Sequence, residues 1–272
     1  MSWTLILILI LVSIPGILVT TPGLVRKMLP VLAEKLPQGQ SLPPASVLRT
    51  ILYLEVLVLV AGFAILGGYA APEVGLQAPF FSALVNRGEI WPSMSFQLLP
   101  MLVGGLLGGL VLVACYYLIF RPRLDEKTVS SMEGLRLQLG LAGRLLYGGI
   151  LEEVLTRWGM MSATAWIGLK LTGEASPSVM WAAIVISGII FGLLHIPNYV
   201  LTGSRLSPLF ASLMLFLNLW ASLVFGWLFW QYGLLAAIGA HMLFHLVWYP
   251  FDKAHASKTS QLKTISGSRL TA

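Results

Sequence analysis

The chain is poor in charge and almost free of cysteine. Only 10% of its 272 residues are charged, whereas soluble domains carry about 25% charge. Hydrophobic residues make up 57%, and the mean hydropathy is +0.84. Such a chain cannot cover itself in water, which argues against a soluble enzyme, a secreted disulfide scaffold and a nucleic-acid-binding protein. Cys115 is the single cysteine, so neither an intrachain disulfide nor a cysteine-based metal cluster can form.

Long apolar runs are present instead. A membrane-spanning helix needs about 20 mostly apolar residues. Six stretches qualify clearly: Trp3–Val19, Leu48–Tyr69, Leu98–Phe120, Val179–Ile196, Phe210–Gln231 and Gly233–Tyr249. A seventh, Leu141–Leu171, is apolar but interrupted by Arg144, Glu152, Glu153 and Arg157. We therefore predict an all-α fold, a polytopic transmembrane helix bundle of about seven spanning helices whose surroundings are the lipid bilayer.

Basic residues give the expected orientation. With seven spans, thirteen of the seventeen Lys and Arg residues fall in alternate connections on one side, and only Arg87 and Lys170 fall on the other. The positive-inside rule then places the amino terminus outside and the carboxyl terminus in the cytoplasm of a plasma (inner) membrane. The formal charge of +6 is explained by these loops without a polyanionic partner. Because no Lys or Arg precedes Trp3 and no cleavage pattern follows Val19, the first helix is expected to stay uncleaved.

Two adjacent glutamates in the seventh stretch are the first candidates for chemistry. A charge near the bilayer centre costs at least about 2.5 to 3.5 kcal/mol, so it must face a partner or a wet cavity. On an α-helix, Glu153 and Arg157 lie four residues apart on one face, and Glu152 points about 100° away. Arg157 can therefore neutralise Glu153, which leaves Glu152 free to act as a general base or acid. A purely structural role for both acids, as hydrogen-bonding groups between helices, is the alternative.

Three histidines lie inside predicted membrane helices. His241 and His245 are four residues apart and share a helix face, a spacing that also lets two imidazoles hold one metal ion. His195 lies near the end of an earlier helix. Measured along each helix from the cytoplasmic side, these histidines and Glu152 can meet in the cytoplasmic half of the bundle. Separate helices are thus expected to bring one acid and three imidazoles to one cavity.

Three motifs follow one another along the carboxyl-terminal half: E-E-x-x-x-R at 152–157, F-x-x-x-H at 191–195 and H-x-x-x-H at 241–245. In this order, on successive membrane helices, they resemble the CAAX protease and bacteriocin-processing family of intramembrane proteases, also called the type II CAAX prenyl endopeptidase family. The resemblance covers about residues 141–250.

The resemblance to this family divides the chain into three parts. Residues 1–140 form three amino-terminal transmembrane helices with their loops, 141–250 form the protease core of four helices, and 251–272 form a polar cytoplasmic tail.

The resemblance implies a membrane protease that opens toward the cytoplasmic leaflet. Glu152 would activate water for attack on the peptide carbonyl, and His195 would assist. His241 and His245 would bind or polarise the carbonyl oxygen. Relatives with Asn at the last position suggest an oxyanion-stabilising amide there, where this chain has His245. The candidate catalytic residues are Glu152, Glu153, Arg157, His195, His241 and His245.

Two mechanisms stay open from the sequence. In the metal-free mechanism, Glu152 and His195 activate the water, and the other two histidines stabilise the oxyanion. In the metal mechanism, His195, His241 and His245 bind Zn²⁺, and Glu152 is the base. The third histidine keeps the metal mechanism open.

The expected function is an intramembrane endopeptidase that hydrolyses a peptide bond of a membrane-associated, prenylated or leader-peptide-type substrate near the cytoplasmic leaflet. Its partners would be a peptide or protein substrate in the membrane and the lipid bilayer. The alternatives are not enzymatic: a transporter or proton relay, or a catalytically silent scaffold or immunity protein. Glu55 and Arg144 are interpreted as interhelical or interfacial groups, and the glycines at 104–109 as close helix contacts.

Overall fold

The computed structural model describes residues 1–37 and 40–270, and within them every regular element is helical. The predicted all-α bundle is therefore confirmed. The α-helices are α1 (Trp3–Glu34), α2 (Ala45–Glu73), α3 (Pro79–Asn86), α4 (Ile90–Ala114), α5 (Glu126–Gly143), α6 (Ser162–Thr172), α7 (Pro177–Leu201), α8 (Pro208–Tyr232) and α9 (Leu234–Leu270). Helix α4 continues through a π-helical turn (Cys115–Phe120) and a 3₁₀ turn (Arg121–Arg123).

Six helices in the described part of the chain are long and apolar enough to cross a membrane: α1, α2, α4 with its extension, α7, α8 and α9 up to Ala256. They correspond to the six clear apolar stretches of the sequence. The seventh stretch is helical too, but its charges fall within it and the other helices surround it. The bundle thus fits roughly seven spans, with the charged helix inside.

The charged helix departs from regular α geometry. Asp125 caps the start of α5 by accepting a hydrogen bond from the Thr128 amide, and Thr128 holds the pKa of this carboxyl below its ordinary value. Gly140 then kinks the chain at a φ of +63°, which a residue with a side chain rarely adopts. Two π-helical segments follow, Arg144–Leu151 and Val154–Met161, and the second continues directly into α6. Glu152 and Glu153 lie between them, and π-helical turns are frequent at functional sites.

Small residues let neighbouring helices approach this charged helix and each other. A Cβ on Gly16 of α1 would lie 2.6 Å from the Leu146 carbonyl oxygen, so α1 contacts the first π segment directly. The predicted contact through the glycines at 104–109 is present between α4 and α9, since a Cβ on Gly105 would lie 2.7 Å from the Leu243 side chain. Packing of this kind is what holds helices together where lipid tails are as apolar as the side chains.

Helix α9 continues past the predicted start of the tail at residue 251. Asp252 is fully buried and belongs to the bundle, because two arginines from the charged region bind it. The buried core therefore extends at least to Asp252. Residues 271–272 of the predicted tail lie outside the described residues.

Candidate active site

A cavity of about 200 Å³ lies inside the bundle between α5, the two π segments, α7, α8 and α9. Glu152, His195, His241 and His245 all line it, as the depth estimate from the sequence predicts. Arg157 reaches it as well. Most other lining residues are apolar, so the polar groups converge in a largely apolar pocket, which is how small-molecule and substrate sites are usually built.

Glu153 lies behind the cavity wall, and each of its two carboxylate oxygens has a basic side chain beside it. Its Oε2 is 3.2 Å from Arg157 Nε, close enough for an ion pair although not aligned as a hydrogen bond. Its Oε1 accepts a hydrogen bond of 2.7 Å from His241 Nδ1. None of the Glu153 side chain is exposed, and Arg157 is 1% exposed. Glu153 thus joins the charged helix to α9 through buried polar contacts.

Glu152 has a different environment although it is the next residue. Its side chain is 18% exposed, and in the described residues its only ion-pair neighbour is His241, whose Nε2 is 4.0 Å from Oε2. His241 Nδ1 must carry the proton donated to Glu153, because a carboxylate can only accept. The opposite nitrogen of the same ring therefore faces Glu152. Glu152 keeps accepting capacity toward the cavity, as a group that binds or activates water requires.

His195 is fixed by its own helix. Its Nδ1 donates a hydrogen bond of 2.9 Å to the Phe191 carbonyl oxygen, and the two rings meet edge to face at 4.4 Å. The F-x-x-x-H motif therefore sets the ring orientation and the tautomer, since a carbonyl oxygen can only accept. Nε2 is left as the nitrogen available to a bound molecule.

His245 takes a packing position. Its ring stacks on His241 at 4.9 Å between centroids and 25° between planes, and Phe225 stacks on the other side of His241 at 4.6 Å. His245 Nε2 is buried next to Gly148 and has no hydrogen-bond partner among the described residues.

This geometry does not fit the metal mechanism. Metal ligands must converge on one ion at about 2.0 to 2.1 Å for imidazole nitrogen. Within the described residues, no group of three or more His, Cys, Asp or Glu side chains is placed to hold a metal ion. The prediction that His195, His241 and His245 bind Zn²⁺ is thus not supported, because the described side chains are not placed as a set that could hold one ion.

A buried ionic cluster at one end of the cavity was missed by the sequence reasoning. Arg136 donates to both oxygens of Asp252 at 3.0 and 2.8 Å, and Arg144 donates to one of them at 2.6 Å. The Tyr117 hydroxyl donates to the same carboxylate at 2.7 Å. Both arginines line the cavity. Arg144 was expected to bond between helices, and it does. Nothing in the sequence predicted a buried role for Asp252, because this residue follows the last motif in a segment whose composition is typical of a polar tail.

Other polar residues belong to the cavity wall. Tyr147, Asn198 and Asn218 line it, and the Asn218 amide donates to the Met214 carbonyl oxygen at 2.8 Å. Glu55 does not line the cavity; it is exposed on α2.

Residues 136–247 match the family model described as type II CAAX prenyl endopeptidase Rce1-like. The matched segment contains all three motifs and the cavity side chains that they contribute. No curated protein and no solved structure matched the chain. Residues 136–247 are therefore similar to the type II CAAX prenyl endopeptidase (Rce1-like) family, in agreement with the resemblance seen in the motifs.

Proposed function

We propose that the chain is an intramembrane endopeptidase that hydrolyses a peptide bond of a membrane-associated substrate, with Glu152 as the general base. The observation that carries this proposal is the unequal environment of two neighbouring glutamates. Glu153 is fully buried, bound by Arg157 and His241, and outside the cavity lining, so a water in the cavity does not reach it. Glu152 lines the cavity with an open carboxylate.

The proposed chemistry uses the described contacts directly. Glu152 removes a proton from water, whose oxygen attacks the peptide carbonyl carbon to form a tetrahedral intermediate. The C–N bond then breaks as Glu152 passes that proton to the leaving amine. His195 Nε2 accepts from or orients that water. His241 is held by the Glu153 carboxylate, which accepts a hydrogen bond from its Nδ1. A protonated His241 Nε2 then donates to the oxygen on which negative charge develops. His245 supports the His241 ring by stacking.

The apolar lining of the cavity and its position within the membrane bundle together suggest the class of substrate. A cavity that is apolar apart from these groups suits a peptide already dissolved in, or anchored to, the lipid. The basic loops support a cytoplasmic location for the carboxyl terminus. Substrates with a lipid-modified end or an apolar leader segment fit both features. Reporter fusions at the two termini, one active only in the cytoplasm and one only outside it, test the orientation.

The deciding experiment compares Glu152→Gln with Glu55→Gln in purified protein. Positioned acid–base groups contribute about 10²- to 10⁴-fold, so Glu152→Gln should lower peptide hydrolysis by at least a hundredfold while thermal unfolding changes little. Glu55→Gln removes the same charge outside the cavity and should keep full activity. Full activity of Glu152→Gln against a verified substrate refutes the proposal. Ion flux through protein in liposomes, without hydrolysis of any peptide, points to a transporter instead.

A further inference from the structure

The cluster of Arg136, Arg144 and Asp252 carries an unbalanced charge at the cavity. Arginine keeps its proton in proteins, so two guanidinium groups face one carboxylate and leave one positive charge in excess. All three side chains are buried, at 7%, 3% and 0% exposure. Among the described residues no ion pair joins Glu152 to either arginine. Buried charges are normally paired, which makes an excess cation at a cavity wall a feature that calls for an anion.

Arg144 is held so that one nitrogen stays unused. Its Nε donates to the Arg136 carbonyl oxygen at 3.0 Å, and its Nη2 donates to Asp252 at 2.6 Å. The Tyr249 ring lies 5.1 Å from its guanidinium carbon. Nη1 has no hydrogen-bond partner among the described residues. The guanidinium is therefore fixed on two sides with its remaining donors unpaired.

A second buried donor on the same cavity is also unpaired. Trp248 lines the cavity at 8% exposure, and its Nε1 has no partner in the described part of the chain. Its ring lies 4.8 Å from the Arg136 guanidinium carbon, which places it beside the cluster. Indole nitrogen can only donate. A hydrogen-bond acceptor would satisfy both unpaired donors, and an acceptor with negative charge would also balance the excess positive charge of the cluster.

We propose that this cluster is an anion subsite in which Arg144 binds a carboxylate of the peptide substrate. Asp252 acts as a positioning residue that orients both arginines while cancelling only one of their charges. The inference rests on the proposed function, because the bound group is taken to be part of the substrate. A carboxylate has two sources, the free end of a peptide and an Asp or Glu side chain. Asp252 lies outside the matched segment 136–247, so the family model does not include this residue.

The test measures binding, not hydrolysis, by titrating four peptides into the full-length Glu152→Gln protein in a calorimeter. Acetyl-Leu-Leu-Leu with a free carboxylate is compared with its amide. Acetyl-Leu-Glu-Leu-amide is compared with its Gln counterpart. We expect one acid to bind at least tenfold more tightly than its neutral partner, which corresponds to about 1.4 kcal/mol. The pair that shows this preference identifies the source of the carboxylate.

Arg144→Met should abolish the preference. In this variant Asp252 still accepts hydrogen bonds from Arg136 and Tyr117, so the protein should remain folded. Thermal unfolding measurements check this. Arg144→Lys, which keeps the charge but offers fewer fixed donors, should retain part of the preference and serves if the Met variant unfolds. Arg123→Gln removes an exposed arginine outside the cavity and should keep the full preference.

Equal affinity for acids and amides, no binding of any peptide, or a preference that persists in Arg144→Met overturns the inference. The two proposals fail separately. If the protein hydrolyses peptides but does not prefer acids, only the proposed anion subsite is refuted. If it prefers acids but hydrolyses no peptide, only the proposed protease activity is refuted.

Discussion

Glu153→Gln should unfold the site that Glu152→Gln leaves intact, although the two changes are chemically identical and adjacent. Glu153 is fully buried between Arg157 and His241, at 3.2 and 2.7 Å. Its loss strands a guanidinium that is 1% exposed, and breaking a buried ion pair from one side costs about 3 to 5 kcal/mol. Among the described residues Glu152 has no arginine partner, and its carboxylate is open to the cavity, so its amidation should cost under about 1 kcal/mol.

The measurement is thermal unfolding of purified protein in detergent, followed by tryptophan fluorescence. For chains of about 150 to 250 residues, 1 kcal/mol shifts the midpoint by about 2 to 4 °C. Glu153→Gln should therefore lower Tm by roughly 6 to 20 °C, and Glu152→Gln by a few degrees at most. Adding Arg157→Met to Glu153→Gln should recover part of the loss, because a neutral pair no longer buries a lone charge. Equal Tm values for the two single variants refute the assignment of distinct roles.

Three further outcomes are expected. Asp252→Ala should destabilise the protein by about 3 to 5 kcal/mol in the same assay, because it strands Arg136 and Arg144; a near-normal Tm contradicts the burial of this cluster. Gly105→Leu should cost about 1 to 3 kcal/mol by overpacking against α9. Gly62→Ala should instead stabilise α2 by up to about 1 kcal/mol, because a Cβ there meets none of the described residues within 4 Å. Dialysis against a strong chelator should leave Tm unchanged, and one tightly held Zn²⁺ per chain, measured by metal analysis, contradicts the geometry of the three histidines.

Patterns within one helix were readable from the sequence. Hydropathy located the six apolar helices, because lipid requires each span to satisfy its backbone internally over about 20 residues. The spacing of four between Glu153 and Arg157 predicted their ion pair, and the same spacing placed His195 beside Phe191. Local geometry fixes such pairs whatever the rest of the chain does.

Contacts between helices were decided by tertiary structure. His241 reaches Glu153 across 88 positions and stacks between Phe225 and His245, so other helices as well as its own set its position and ring orientation. Spacing along α9 shows only that two imidazoles share a face; what they meet depends on the helices packed opposite. Asp252 shows the same limit most clearly, because a residue in a polar segment became a fully buried anchor for two arginines once α9 packed beside α5.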